Sequence, residues 1–248
     1  MQGFLIVNPR SGADSPSAAE LRDAARRRGV IVRFLQEGDD LADVARQANA
    51  DVLGMAGGDG SLAAVAEVAI EQDVPFVCIP FGTRNHFARD LGLDRNEPLA
   101  ALVAFDDGVE RRVDVGRVGD RLFLNNVSLG LYARLVHRRE LHRRRRDALA
   151  RLRAVALTLR DRRRRQRFTI DGEHVRARLV LVANNAYTID LLSLGERDRL
   201  DEGKLHLYIP HGFRRITWEE RSCTELETPL AFRIEPGALR VLVPRAPE

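Results

Sequence analysis

Residues 57–61 read Gly-Gly-Asp-Gly-Ser and lie between an apolar segment, 51–56, that predicts a strand and an alanine-rich segment, 61–71, that predicts a helix. Two further polar junctions follow predicted strands, at 8–12 and 80–89. Strands that alternate with helices in this way form βαβ units around a parallel sheet. Because the carboxyl ends of parallel strands share one edge of the sheet, we expect the three junctions to meet there, where open α/β sheets bind ligands.

The first 106 residues favour a doubly wound, mostly parallel α/β domain, because strand and helix patterns alternate throughout. The first helix is expected to start at a serine cap, Ser15 or Ser17, and the second at Asp39 or Asp40. The predicted strands are 3–7, 30–35, 51–56 and 75–79, and the predicted helices are 15–28, 40–50, 61–71, 87–91 and 98–106.

The pattern changes near residue 107, where alternating apolar and polar residues favour antiparallel strands. These strands are predicted at 109–118, 121–127, 168–170, 175–183, 204–209, 230–234 and 239–243. We therefore predict two domains, an α/β domain over 1–106 and a mostly antiparallel, β-sandwich-like domain over 107–248. The second domain is expected to contain a helical insertion at 131–165.

The insertion is strongly basic. Residues 134–167 hold fifteen arginines against three acidic residues, a local charge of +12, whereas the whole chain has only +4. Two clusters, Arg143–Arg146 and Arg162–Arg165, flank an apolar stretch with helical spacing. One interpretation is docking on an anionic membrane surface, where each arginine contributes roughly 1 kcal/mol. The other is a solvated helix face. The absence of aromatic residues between 133 and 167 argues against a nucleic-acid site.

The cysteine content and the apolar segments of the chain indicate its cellular compartment. Only two cysteines occur, Cys78 and Cys223, so a disulfide framework is not expected and a reducing cytoplasm is favoured. No apolar run approaches the roughly 20 residues that span a bilayer. The first seven residues lead directly into a predicted strand, so no signal peptide is expected. We expect a cytoplasmic protein that associates peripherally with the inner face of the membrane.

The glycine-rich junctions have the composition of a phosphate site. Gly57, Gly58 and Gly60 lack a Cβ and so allow close backbone approach, and Ser61 would begin a helix whose dipole favours an anion. Hydroxyl and amide groups follow in the other junctions, at Ser11, Thr83 and Asn85, and Asp59 is placed to bind a metal ion. The alternative is that the glycines only make tight turns. The chain has no Gly-x-x-x-x-Gly-Lys motif and no Gly-x-Gly-x-x-Gly after the first strand, which disfavours a P-loop and a Rossmann site.

The segments Asn8–Gly12, Gly57–Ser61 and Pro80–Arg89 together resemble the diacylglycerol kinase catalytic domain family, which includes bacterial soluble lipid kinases, sphingosine kinases and ceramide kinases. Later segments at 123–130, 183–185 and 200–205 match as well, so the resemblance covers nearly the whole chain. Gly-Gly-Asp-Gly alone is shared with NAD kinases and phosphofructokinases. The resemblance implies an NAD kinase-like first domain, a second β-rich domain and a nucleotide between them.

The resemblance also implies a reaction, the transfer of the γ-phosphate of ATP to the hydroxyl of a lipid such as diacylglycerol or a sphingoid base, with Mg²⁺. Asp59 would be the catalytic residue and a metal ligand, and Glu202-Gly203-Lys204-Leu205 resembles the family's second metal site, with Asp201 or Glu202 as ligand. Related enzymes are often dimers, which leaves a homodimer open. The expected nucleotide contacts are Asn8, Pro9, Arg10, Ser11, Gly12, Gly57, Gly58, Asp59, Gly60, Ser61, Thr83 and Asn85.

The chain departs from the family pattern at two places. The usual Thr-Leu-Asn-Glu after the glycine loop is replaced by Ser61-Leu62-Ala63-Ala64. The usual Asp-Gly-Glu/Asp turn before a Thr-Pro-Leu-like segment, which supplies the family's general base, is missing before Thr228-Pro229-Leu230. The one Asp-Gly-Glu, at 171–173, is expected to be an ordinary hairpin turn, and nothing selects a base among Glu219, Glu220 and Glu225. The alternatives are a nucleotide- or lipid-binding pseudokinase and an NAD kinase-like or other small-molecule kinase.

Overall fold

The computed structural model describes residues 1–11, 16–82, 84–130, 166–170, 172–177, 179–188, 195–209 and 230–245. Several sequence predictions lie outside these residues and stay predictions. They are the helical insertion at 131–165 with its clusters Arg143–Arg146 and Arg162–Arg165, the nucleotide contacts Gly12 and Thr83, and the candidate bases Glu219, Glu220 and Glu225.

Four parallel strands form the N-terminal part of the main sheet. They are β1 (Gly3–Val7), β2 (Ile31–Phe34), β3 (Val52–Gly57) and β4 (Phe76–Pro80), in the order β2-β1-β3-β4. Their pairing is parallel throughout and keeps a constant register. The predicted parallel sheet is confirmed for these strands.

Helices cover both faces of this sheet. Alternate residues of β1 enter two separate apolar clusters, Leu5 and Val7 on one face and Ile6 on the other. The first cluster packs under helix α1 (Ala18–Arg27), and the second packs under α2 (Leu41–Arg46) and α3 (Asp59–Glu71). The free thiol of Cys78, on β4, is buried, and burial raises its pKa well above the ordinary value.

Local sequence signals explain where the helices start. Helix α1 begins after Ser17, whose side chain accepts from the Glu20 backbone in a capping box, and α2 begins after the cap Asp40. Helix α4 (His86–Asp90) follows β4. The helix predicted at 98–106 is a 3₁₀ helix, Ala100–Phe105. No helix in the described parts of the chain is both long and apolar enough to cross a bilayer.

Strands from beyond residue 107 extend the same sheet. They are β5 (Gly108–Val118), β6 (Arg121–Phe123) and the C-terminal β12 (Phe232–Pro244), and the full order is β2-β1-β3-β4-β12-β5-β6. Strand β12 is parallel to β4 and antiparallel to β5. It replaces the two strands predicted at 230–234 and 239–243, because a register shift between Glu235 and Leu239 interrupts the pattern without ending the strand. Strands from both sides of residue 106 thus belong to this one sheet. The division of the chain into two domains at residue 106 stays a prediction.

The remaining strands form two small antiparallel sheets. The strands are β7 (Asn126–Gly130), β8 (Gln166–Ile170), β9 (Glu173–Ala177), β10 (Leu179–Asn184) and β11 (Leu205–Tyr208). One sheet has the order β11-β10-β7 and the other is a hairpin of β8 and β9. Gly172, with a φ of 87°, turns that hairpin, as expected for the Asp-Gly-Glu segment, of which Asp171 is not described.

Two strand predictions were wrong in the same way. The single strand predicted at 121–127 is β6 and β7, which belong to different sheets, and the strand predicted at 175–183 is β9 and β10. At the second crossing the apolar pattern continues while the chain leaves one sheet for another, and at the first only Asn125-Asn126 interrupts it. The first of these crossings, at Leu124 and Asn125, lies next to the candidate site.

Candidate active site

The structure brings the three polar junctions together at the carboxyl edge of β1, β3 and β4. The backbone N–H of Asn8, after β1, donates to the carbonyl of Ala56 in β3, at 2.9 Å. Gly82, after β4, lies against Gly58, after β3: a Cβ on Gly82 would sit 2.7 Å from the Gly58 Cα. The loop after β1 therefore begins beside the end of β3, and the loops after β3 and β4 touch where glycine permits close contact.

The first loop is a compact turn with an exposed cation. The Asn8 side-chain oxygen accepts from the Arg10 backbone N–H at 3.1 Å, and the Asn8 carbonyl accepts from the Ser11 N–H at 3.1 Å. The Arg10 guanidinium is 68% exposed and lies 3.6 Å from the Glu37 carboxylate. An ion pair this exposed contributes little, so Arg10 stays accessible to an anionic ligand.

The second loop leads into helix α3. Gly58 is the N-cap residue, and it makes no side-chain cap hydrogen bond. First-turn N–H groups without a side-chain cap are a common binding place for phosphate. Gly57 packs closely, since a Cβ there would lie 2.6 Å from the Met55 Cε and 3.1 Å from the Ser61 Cβ. Close packing explains the glycine at 57, whereas a Cβ at Gly58 or Gly60 would meet nothing within 4 Å, so the predicted approach of a phosphate to this loop stays a prediction.

Asp59, the first residue of α3, is held by three donors. Its Oδ1 accepts from the Phe87 N–H and the Asn125 Nδ2, each at 3.1 Å, and its Oδ2 accepts from the His86 N–H at 3.3 Å. Asp59 thereby caps helix α4 from the first turn of α3. The helix's own N-cap residue, Asn85, is left-handed at φ 50° and makes no side-chain cap bond. Because a carboxylate has about four lone-pair sites, Oδ2 keeps one for a cation or water.

The third loop is organised by Asn85. This residue is 2% exposed, and its Nδ2 donates to the Gly82 carbonyl at 2.8 Å. Its Oδ1 is buried without a hydrogen-bond partner. One of the two N–H groups of the Asn85 amide is therefore used to fix the loop, and Oδ1 is left to accept a hydrogen bond. The contact of Asn85 with nucleotide stays a prediction.

The second predicted metal site, at Asp201 and Glu202, has other hydrogen-bond partners than Asp59 has. The Glu202 Oε2 accepts from the Ala186 N–H at 2.9 Å and lies 3.1 Å from the His206 Nε2. The Asp201 carboxylate is paired with Arg199 at 3.0 Å, and this hydrogen bond lowers the pKa of Asp201. Within the described ranges, no three His, Cys, Asp or Glu side chains form a metal cluster. Among the described residues, no hydrogen bond connects Asp201 or Glu202 with the partners of Asp59.

Sequence reasoning gave no individual role to two residues of this site, Asn125 and Arg197. Asn125 lies at the crossing from β6 to β7, and the Asn125-Asn126 pair, which interrupts the apolar alternation, is the signal that could have found it. Arg197 lies in a loop with no periodic signal. Its side chain is fully buried against Asp90, also fully buried, with 2.7 Å between Nε and Oδ2.

His86 makes stability depend on pH. Burial lowers the pKa of its imidazole below 6.5, although the nearby Asp59 charge opposes this shift. The imidazole therefore binds a proton more readily in the unfolded chain than in the folded one. We expect the free energy of unfolding to keep its full value above about pH 6.5 and to decrease as the pH falls below it, by at most about 1.4 kcal/mol per pH unit. Urea unfolding at pH 7.5 and 5.5 measures the effect. The decrease in the free energy of unfolding between these two pH values should be smaller in His86→Gln. An equal decrease in the variant and the wild type would contradict the role of His86.

Comparison with known proteins gives a consistent result. Residues 2–118 match the sequence profile of the diacylglycerol kinase catalytic domain. The chain is 34% identical over 143 residues to a probable lipid kinase YegS-like protein of Chromohalobacter salexigens, a match that covers 54% of this chain and 45% of that protein. It is 34% identical over 122 residues to a diacylglycerol kinase of Mycobacterium tuberculosis, which covers 46% and 40%. The matched part thus spans less than half the length of these relatives.

A solved structure extends the similarity in fold. A diacylglycerol kinase from Bacillus anthracis superposes with a TM-score of 0.65 at 18% identity, and the alignment covers 98% of this chain and 96% of that one. At this identity the likeness concerns the fold. The resemblance inferred from the sequence motifs is confirmed.

Proposed function

We propose, from the match of residues 2–118 to the diacylglycerol kinase catalytic domain, that this chain is an ATP-dependent lipid kinase. It would transfer the γ-phosphate of ATP to the hydroxyl of a lipid such as diacylglycerol or a sphingoid base. The observation that supports this proposal best is the position of Asp59. Its carboxylate is fixed by three hydrogen bonds at the point where the loops after β3 and β4 touch.

The residues at this edge suit a nucleotide triphosphate. The N–H groups at the start of α3 and the Gly57–Gly60 backbone would hold phosphate oxygens, and Arg10 would neutralise their charge. Pro9 and Ser11 would contact ATP from the first loop and Ser61 from the second. Phosphoryl transfer requires mainly positioning and charge neutralisation, which this backbone together with Arg10 would supply.

Mg²⁺ is the metal that this proposal implies, and Asp59 fits it. Magnesium in phosphate-transfer sites is commonly held by one or two carboxylates together with substrate phosphates and water. Asp59 offers one carboxylate with a free lone pair on Oδ2, so it would hold the ion with ATP, while Glu202 or Asp201 would hold a second ion elsewhere. Bound magnesium would supply neutralisation of the charge on the phosphates.

Asp59→Asn tests the proposal. We expect phosphate transfer from radiolabelled Mg·ATP to diacylglycerol or sphingosine in mixed micelles to fall by about a hundredfold or more, because an electrostatic group is lost. Glu71→Gln, at the opposite end of the same helix, is the control and should retain full transfer. Equal transfer by the two variants would refute the role of Asp59, and transfer to NAD or a sugar alone would indicate a different kinase.

A pseudokinase is the second candidate, supported by Ala63 and Ala64 in place of the family's polar pair. Such a protein would bind ATP or lipid without turnover. Calorimetry separates the two candidates. ATP binding that Asp59→Asn weakens, with no transfer to any lipid by the wild type, is the result expected of a pseudokinase.

We also propose that the basic segment 134–167 docks the protein on anionic membranes, which a lipid kinase must reach. Binding to vesicles of phosphatidylglycerol should be strong at low salt and fall as salt is added. Replacing Arg143–Arg146 with alanine should weaken it, and replacing Arg26–Arg28, a basic run at the end of α1, should not. Equal weakening by both replacements would mean that overall charge, and not this segment, is responsible.

A further inference from the structure

A side-chain relay connects Asp59 to a buried arginine. The Asn125 Nδ2 donates to the Asp59 Oδ1 at 3.1 Å, and the Asn125 Oδ1 accepts from the Arg197 Nη2 at 2.7 Å. A guanidinium only donates hydrogen bonds and a carboxylate only accepts them. The two neighbours therefore allow a single orientation of the Asn125 amide, with its nitrogen facing Asp59.

Arg197 is itself held on several sides. Its Nη1 donates to the carbonyls of Leu124 at 2.7 Å and Asn184 at 2.9 Å, and its Nε donates to the Asp90 Oδ2 at 2.7 Å. The guanidinium also lies 5.4 Å from the centroid of the Tyr187 ring. Four of its five N–H groups are thus occupied in a fully buried site. The position of this side chain is determined by the fold.

These contacts close a ring around the site. Asp59 caps helix α4 at His86 and Phe87, and Asp90, at the end of that helix, binds Arg197. Arg197 returns to Asp59 through Asn125. The ring joins the N-terminal α/β layer to the β6–β7 crossing and to the end of β10, three parts that are far apart in sequence.

We propose that Arg197 is a positioning residue for Asp59. It orients Asn125, and Asn125 occupies Oδ1 of the carboxylate so that the remaining lone pair of Oδ2 faces the ligand in one fixed direction. This inference rests on the proposed kinase function. A lysine could keep the charge beside Asp90, but its single ammonium cannot reach Asn125, Leu124 and Asn184 in the fork geometry of a guanidinium.

The test is a double-mutant cycle with Arg197→Lys and Asn125→Ala, measuring kcat and KM for ATP in the lipid phosphorylation assay. We expect Arg197→Lys to lower kcat about tenfold with KM changed less than threefold. Because Arg197 acts through Asn125, adding Arg197→Lys to the Asn125→Ala variant should cause only a small further decrease in kcat. Arg117→Lys is the matched control, since it alters a part-buried ion pair with Glu67 and Glu235 and should leave kcat unchanged.

Additive losses of kcat in the double variant would overturn the proposal, because an effect of Arg197 that passes through Asn125 cannot persist once the Asn125 side chain is removed. A second measurement keeps the test independent of activity. The side-chain amide protons of Asn125, assigned in ¹⁵N-labelled protein by their loss in Asn125→Ala, should be protected from solvent exchange in wild type and unprotected in Arg197→Lys. If the wild type transfers no phosphate, the kinase proposal fails, and unchanged protection would then overturn the positioning role separately.

Discussion

Arg197→Met is expected to lower the free energy of unfolding by about 3 kcal/mol, because Oδ2 of a fully buried carboxylate loses its ion-pair partner while Oδ1 keeps Arg89. The partner is Asp90, whose Oδ2 loses a 2.7 Å hydrogen bond, and the carbonyls of Leu124 and Asn184 lose their donors as well. Arg89 contacts only Oδ1 of Asp90 and does not replace the missing donor at Oδ2. Urea unfolding followed by circular dichroism measures the change.

An exposed arginine provides the control for this prediction. Arg199→Met removes an ion pair with Asp201 in which the two side chains are 63% and 58% exposed, so we expect a change within about 1 kcal/mol. Arg197→Met/Asp90→Leu should recover part of the stability, since both charges are then removed. A stability for Arg197→Met equal to that of Arg199→Met would show that Asp90 finds another partner or takes up a proton at little cost.

Gly82→Ala is expected to weaken ATP binding by about tenfold or more and to lower stability by about 1–3 kcal/mol. The added Cβ would lie 2.7 Å from the Gly58 Cα, 3.0 Å from its backbone nitrogen and 2.8 Å from the Asn85 Oδ1. Two of these atoms are backbone, so the glycine loop itself must move. That movement displaces the N-terminus of α3, where the phosphates of ATP would bind. Calorimetric titration with Mg·ATP and thermal unfolding measure the two effects.

Gly60→Ala separates the steric effect from the general effect of replacing a glycine. A Cβ at Gly60 meets nothing within 4 Å, so its stability should rise by about 0.4–1 kcal/mol as the unfolded chain becomes less flexible. If Gly82→Ala is as stable as Gly60→Ala and binds ATP as wild type does, the contact between the two loops has no role in holding the site.

The sequence was most informative where a signal is local. The cap of α1 at Ser17 and that of α2 at Asp40 were both among the predicted residues. The first four strands lie within two residues of the predicted bounds. Apolar runs, caps and turns act through neighbours along the chain, so the chain itself contains the information. The 3₁₀ helix at 100–105 shows the limit, because hydrophobic spacing does not distinguish it from an α-helix over so short a segment.

Such local signals did not predict the contacts between segments that are distant in the sequence. Nothing in the spacing of Arg197 indicates that it binds Asp90, 107 positions away, or Asn125, 72 positions away. The same holds for Asp114, which is 2% exposed and accepts from the backbone N–H groups of two left-handed glycines, Gly203 and Gly237. An isolated charged residue in a sequence reads as surface, and only a fold that surrounds it with partners makes its burial favourable.

The sequence by itself determined the βαβ pattern, the three polar junctions and the central place of Asp59 at one of them. Parallel strands bring their carboxyl ends to one edge whatever the rest of the chain does. Only the tertiary structure decided how Asp59 is held. Its three donors come from α4 and from the β6–β7 crossing, and the return of β12 between β4 and β5 brings the second half of the chain into the same sheet. Those pairings depend on shape and hydrogen-bond satisfaction across the whole fold, and no local pattern encodes them.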